Sequence, residues 1–199
     1  MPARTTKKKP RKKVGVEQEV QAALSRLKQM STQRDRENLA RFGITASKAF
    51  GVSMANIQVL AKRLGRNHEL AAALWDTGWY EARMLTSFVD EPARVTPAQM
   101  DRWCRDFDNW GICDTVCFCL FDRTPGPRSR SGATSATSFV KRAAFALLAS
   151  LAGHDKSAGD ERFVESLRFI ERAATDERYS MASGLAPRAR RSENAVYVA

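Results

Sequence analysis

The 199 residues, 43% hydrophobic and 28% charged, suit a soluble globular protein of one large domain or two small ones. No apolar run reaches the roughly 20 residues of a membrane span, and the basic N-terminal block leads into no apolar segment, so a secretory signal is not expected and a cytoplasmic chain is. The net charge of +11 is uneven: residues 1–13 hold seven cations (Arg4, Lys7, Lys8, Lys9, Arg11, Lys12 and Lys13) and no acid, residues 14–121 balance, and residues 122–199 carry thirteen basic against nine acidic side chains.

The first thirteen residues have too few apolar side chains to join a core, so a disordered basic tail is expected there. Such a tail attracts polyanions, nucleic acid among them. If it meets phosphates, deleting residues 1–13 should flatten the log–log salt slope of duplex binding by about four to six, and an unchanged slope would mark the tail as merely solvated.

Beyond the tail, Val20, Ala23, Leu24 and Leu27 recur at three and four, which predicts an amphipathic helix from Val16 to about Met30. Ser31-Thr32 opens a short helix ending near Gly43. Ser53 caps a helix with Ile57, Leu60, Ala61 and Leu64 on one face, and Gly65 stops it. Asn67 starts the next, through Leu70, Leu74 and Trp75 to Gly78, and another follows from about Trp79 to Val89. Thr96-Pro97 pairs an N-cap with proline at the first helical position. Nothing here alternates at period two, so the class is all-α, with helices in antiparallel pairs. Trp75, Trp110 and Phe145 lie 35 residues apart, a loose echo of a helical-repeat period that favours a curved stack of helix pairs.

The stretch from Asp106 to Cys117, DFDNWGICDTVC, carries the most chemistry. Asp108-Asn109 starts a helix whose apolar band is Ile112, Cys113, Val116, Cys119 and Leu120. Trp110 and Asp114 stand four apart on one face, so a π surface and a carboxylate could meet a cationic ligand together. The plainer alternative makes Trp110 a core anchor and Asp114 a surface charge. Cys104, Cys113, Cys117 and Cys119 match no zinc spacing, so small buried thiols are expected and no metal. There is no Gly-rich phosphate loop, HExxH or GxSxG, so no cofactor is expected. His68 reads as a surface residue, and Trp79 and Trp103 as core.

After Phe121 the chain turns polar, TPGPRSRSGATSATS, as a loop. An apolar helix then runs from Phe139 to about Ala152, and a further one is expected from about Gly159 to Ala174. Past Arg178 the periodicity dissolves. The expected organisation is a tail at 1–13, a helical-repeat domain at 14–178, and an irregular segment at 179–199 lacking a capping helix.

DFDNWGICDTVC, with Leu74-Trp75, Glu81-Ala82-Arg83 and the later FVKRAAFALLASLAGHDK, resembles the AlkD-type DNA alkylation-repair proteins over roughly residues 35–178. That resemblance implies HEAT-like repeats in an α–α superhelix of the ARM type, and a monomer. It implies a DNA glycosylase that excises cationic 3- or 7-alkylpurines from double-stranded DNA without a cofactor, in a cytoplasmic, nucleoid-associated setting. Asp114 and Trp110 fall on the catalytic pair of the family pattern. Arg142 falls on an arginine opening the following core helix, expected exposed on a concave face to hold a phosphate, with Arg83, Lys141 and the tail lysines and arginines as further DNA contacts.

The sequence departs from the pattern at Gly111, where the family often has an acid; at residues 125–138, where tryptophan and acids are usual; and after Arg178, where a helix with another tryptophan is usual. Two other readings stand beside the glycosylase: a non-catalytic helical-repeat DNA-binding module, and a protein-interaction scaffold.

Overall fold

The computed structural model describes residues 15–125 and 138–154. The basic tail, most of the polar loop, the helix expected from Gly159 and the C-terminal segment lie outside the described residues. Among the described residues there are eight α-helices and no strand: α1 Val16–Gln29, α2 Gln33–Arg41, α3 Met54–Leu64, α4 His68–Asp76, α5 Tyr80–Val89, α6 Pro97–Arg105, α7 Trp110–Cys119 and α8 Ser138–His154. Short 3-10 turns at Pro92–Arg94 and Phe121–Arg123 bridge two of the connections.

Five helix starts are set by a side chain of the kind that satisfies orphan backbone donors. Thr32, Ser53, Asn67, Thr96 and Asn109 each accept a hydrogen bond from the N–H three residues on. Gly65, at φ +75°, closes α3 in the left-handed region where glycine is favoured. Of the pair expected to start α7, Asn109 is the cap, and Asp108 accepts from the Asn109 amide at 2.7 Å.

Helix α5 is the hub. It packs against α1, α3, α4 and α7, while α8 lies on α6 and α7. One continuous core runs through the stack from Val20, Ala23 and Leu27 to Ala143, Ala146 and Leu147. Trp75 and Trp103 stack in it with centroids 4.1 Å apart, and Phe107 meets Trp75 edge-on. Trp103 is fully buried and Trp79 half-buried, stacked on Phe50 at 3.9 Å.

Three expectations need correction. The 35-residue echo joins non-equivalent positions, since Trp75 and Phe145 are buried whereas Trp110 is 37% exposed. The inward band of α7 uses Cys117 in place of Cys119, because a 3.6-residue turn carries Ile112, Cys113, Val116 and Cys117 inward together. His68 is no plain surface residue: its Nδ1 lies 2.6 Å from the fully buried carboxylate of Asp90, which also accepts from Gln99.

No described helix is long and apolar enough to cross a membrane.

Candidate functional site

The α7 helix and the start of α8 build the site. Asp114, on α7, faces Arg142 on α8, and the two form a bidentate pair. Arg142 donates from Nε to Oδ1 at 2.8 Å and from Nη2 to Oδ2 at 2.7 Å. Two parallel N–H···O bonds fix both position and tilt of the carboxylate, which a single lysine contact would not. The Asp114 side chain is 20% exposed and that of Arg142 only 8%. Burial pulls the guanidinium pKa down, but the Asp114 hydrogen bond and charge outweigh it and hold the value above that of a free arginine.

The expected exposed Arg142 is therefore corrected. It sits in the wall behind Asp114, because its neighbours Ala143, Ala144 and Phe145 are drawn into the core and carry the helix face with them. Lys141, one position earlier, is half-buried.

One turn before Asp114, Trp110 lies partly open to solvent, so it is not the core anchor of the plainer reading. Its indole N–H donates to the carbonyl oxygen of Phe42 at 2.9 Å, which ties α7 to the end of α2. With that donor satisfied, the free part of Trp110 is a π face and an edge with no remaining polar demand.

Arg83 lies over Trp75, its guanidinium carbon 5.0 Å from the ring centroid. It donates to the carbonyls of Trp75 at 3.5 Å and Asp106 at 3.1 Å. Asp106 also accepts from the Trp75 indole at 2.8 Å, so Arg83 belongs to a brace between α4 and the end of α6. Asp114 and Arg142 are thus brought together, with Trp110 on the same helix, while Arg83 is engaged by Trp75 and Asp106. Lys7, Lys8, Lys9, Arg11, Lys12 and Lys13 lie outside the described residues.

Gly111 has a local cause. A Cβ there would lie 2.8 Å from the Tyr80 hydroxyl and 3.1 Å from Ile44 Cδ1, both in buried residues. The helix start is weakened in propensity, but the absent side chain admits α5 and the 42–53 loop closely.

Sequence reasoning missed Glu81. It is fully buried, and its carboxylate accepts from the N–H groups of Phe50 at 2.9 Å and Gly51 at 2.7 Å. Glu81 thereby straps the 42–53 loop to α5. A lone acid among apolar residues on a predicted helix was the available signal, since acids are almost never fully buried without partners.

Tyr80 and Cys104 give the fold a pH limit. Burial, then the charges of Glu81 and Asp108, push Tyr80 up to about 12, and burial, then the neighbouring Cys113 and Asp101, push Cys104 up to about 12. Both are acids whose folded pKa exceeds the unfolded value, about 10 for tyrosine and about 8.5 for a thiol. Their contribution is full below those values and is lost as pH rises through the folded ones. The urea midpoint should hold to about pH 8.5 and fall towards pH 12, with Tyr80→Phe removing part of the fall above pH 10. A midpoint equal at pH 8 and pH 11 would contradict this.

The family model described as DNA alkylation repair enzyme matches residues 23–186. A solved structure, described as "A new family of proteins related to the HEAT-like repeat DNA glycosylases with affinity for branched DNA structures", matches with a TM-score of 0.74 at 18% identity. The match covers 85% of this chain and 74% of that one. That likeness shows the fold, an all-α arrangement of HEAT-like helical repeats. No curated protein matches the sequence.

Proposed function

The chain belongs to the DNA alkylation repair enzyme family, and from that premise we propose that it is a DNA glycosylase excising cationic N-alkylated purines from double-stranded DNA. The observation that carries this reading is the fixed carboxylate of Asp114, gripped by Arg142 and partly open beside the exposed face of Trp110. N-alkylation leaves the purine positively charged, so the base is already a good leaving group and needs little protonation. The remaining task is to stabilise positive charge on the sugar as the bond breaks, which a preorganised carboxylate does without reorganising.

The Arg142 pair does not exhaust Asp114. An ionised carboxylate has about four lone-pair sites, and the two hydrogen bonds of Arg142 use one on each oxygen. The others remain for a developing oxocarbenium centre or an attacking water. Arg142 acts here as a positioning residue: with one hydrogen bond to each oxygen it holds the carboxylate in one rotamer. Trp110 supplies a face for the sugar or the cationic nucleotide. Phosphate contacts fall to Lys141 and the basic tail, and to Arg83 if it leaves Asp106.

A second reading is a DNA-binding module without catalysis. Its support is that both Asp114 oxygens are already engaged, and that the similar solved structure is described by affinity for branched DNA. The test is base release from duplex DNA carrying 7-methylguanine and 3-methyladenine, alongside binding to the same duplex. Release above the spontaneous rate supports the glycosylase. Binding without release supports the module, and no DNA binding at low salt would leave the scaffold.

A further inference from the structure

Two thiols of α7 reach the backbone of α8. The Cys113 thiol donates to the Phe139 carbonyl with sulfur and oxygen 3.8 Å apart, and the Cys117 thiol donates to the Ala143 carbonyl at 3.7 Å. Donors and acceptors are each about one helical turn apart, and both bonds join residues 26 positions apart in the chain. Residue numbers therefore rise together along the two helices, which run parallel here in one fixed register.

That register bears on the site. At the same offset Arg142 stands level with Val116, but its partner Asp114 is 28 positions away instead of 26, nearer the start of α7. The arginine leans back by about 3 Å of helix to make both of its bonds, the direction in which helical side chains tilt. Slipping α8 by one residue would change that reach by about 1.5 Å. Such a slip is enough to part N–H···O bonds now at 2.8 and 2.7 Å. Cys113 and Cys117 are both fully buried. Burial, and after it the neighbouring Cys113, pushes the Cys117 pKa well above that of a free thiol, so Cys117 keeps its proton as a donor. A buried cysteine is a small apolar side chain with a weak donor, so two of them in one register suit spacing better than reactivity.

We infer that Cys113 and Cys117 are positioning residues: their thiols set the register of α7 against α8 at which Arg142 grips both oxygens of Asp114. The inference rests on the glycosylase reading for its effect on rate, but not for its geometry. A shift of the pair moves the carboxylate relative to the sugar, and misplacement by about 1 Å can cost about 10²-fold in rate. Each S–H···O bond is weak alone, so removing both should fall short of that full loss.

The experiment compares two double variants of the full chain, Cys113→Ala with Cys117→Ala and Cys113→Ser with Cys117→Ser. Alanine and serine leave nearly the same gap where sulfur stood, but serine returns an O–H donor. Single-turnover base release from duplex DNA carrying 7-methylguanine should slow by about tenfold in the alanine variant, with duplex affinity unchanged. Serine should restore most of the rate, which a merely space-filling role would not predict. The Arg142 Nε–H signal in nitrogen-15 spectra, assigned by its loss in Arg142→Lys, reports the pair without catalysis. Its solvent exchange should quicken in the alanine variant and slow again in the serine variant. Equal effects of alanine and serine, unchanged Nε–H exchange, or a loss of duplex affinity matching the loss of rate would overturn the inference. If a double variant does not fold, the single substitutions are read in the same way. A parent protein that releases no base would overturn the glycosylase reading alone, and the Nε–H exchange then decides the inference.

Discussion

Asp114→Asn is expected to lower base release from alkylated duplex DNA by about 10²–10³-fold, the usual loss when one preorganised electrostatic partner of a transition state is removed. The substitution keeps the volume and one oxygen, but it removes the charge and turns an amide N–H₂ towards Arg142. The mostly buried guanidinium then loses its counter-charge, so a stability loss of about 2–4 kcal/mol is expected alongside. Duplex binding should survive, because phosphate contacts position the DNA through other side chains. Release is therefore measured at a temperature where circular dichroism shows the variant folded. A folded variant that binds DNA and releases base at the parent's rate would remove Asp114 from the chemistry. Arg142→Lys adds a second check. It keeps the charge but cannot grip both oxygens, so the turnover number should fall while the affinity for DNA stays near that of the parent.

The second large effect lies in the scaffold. Glu81→Ala is expected to cost about 3–5 kcal/mol, because two buried backbone donors lose a charged acceptor together. Those donors belong to Phe50 and Gly51. Gly51, at φ +83°, is wedged so closely against α2 that a Cβ would sit 2.7 Å from the Arg36 nitrogen. The loop therefore has little freedom to find other partners. Glu81→Gln should cost about 2–3 kcal/mol, since its amide offers one acceptor where two are needed and presents a donor to a donor. Urea unfolding of both variants measures this, and losses below about 1 kcal/mol in both would show that the loop finds water instead.

The contrast between Glu81 and the helix caps shows which parts of this fold could be read from the chain. Thr32, Ser53, Asn67, Thr96 and Asn109 act within three residues of themselves, so their roles are local and visible in sequence. Glu81 acts on N–H groups 30 and 31 residues earlier, and no periodicity encodes that. Trp110 and Asp114 could be placed together because one helix carries both. The Asp114–Arg142 pair spans 28 residues and two helices, so the sequence named both members but not their bond. The resemblance implies an exposed Arg142 on a concave face, and no local pattern in the chain says otherwise. Only packing against α6 and α7 shows which member turns inward.

The exposure of Phe42 is illegible for a related reason. A large apolar residue near a helix end usually signals burial. Here the adjacent Gly43 reverses the chain and gives the buried place to Ile44.

The close seat of Gly111 beneath Tyr80 bears on how this chain can change over evolutionary time. An acid often stands at the matching position in AlkD-type proteins, yet the space for even its first carbon is occupied here by the Tyr80 hydroxyl and the Ile44 methyl. Position 111 is thus epistatic with positions 80 and 44. A side chain at 111 requires the Tyr80 hydroxyl and the Ile44 methyl to give way, so substitutions at 111, 80 and 44 should be non-additive in stability.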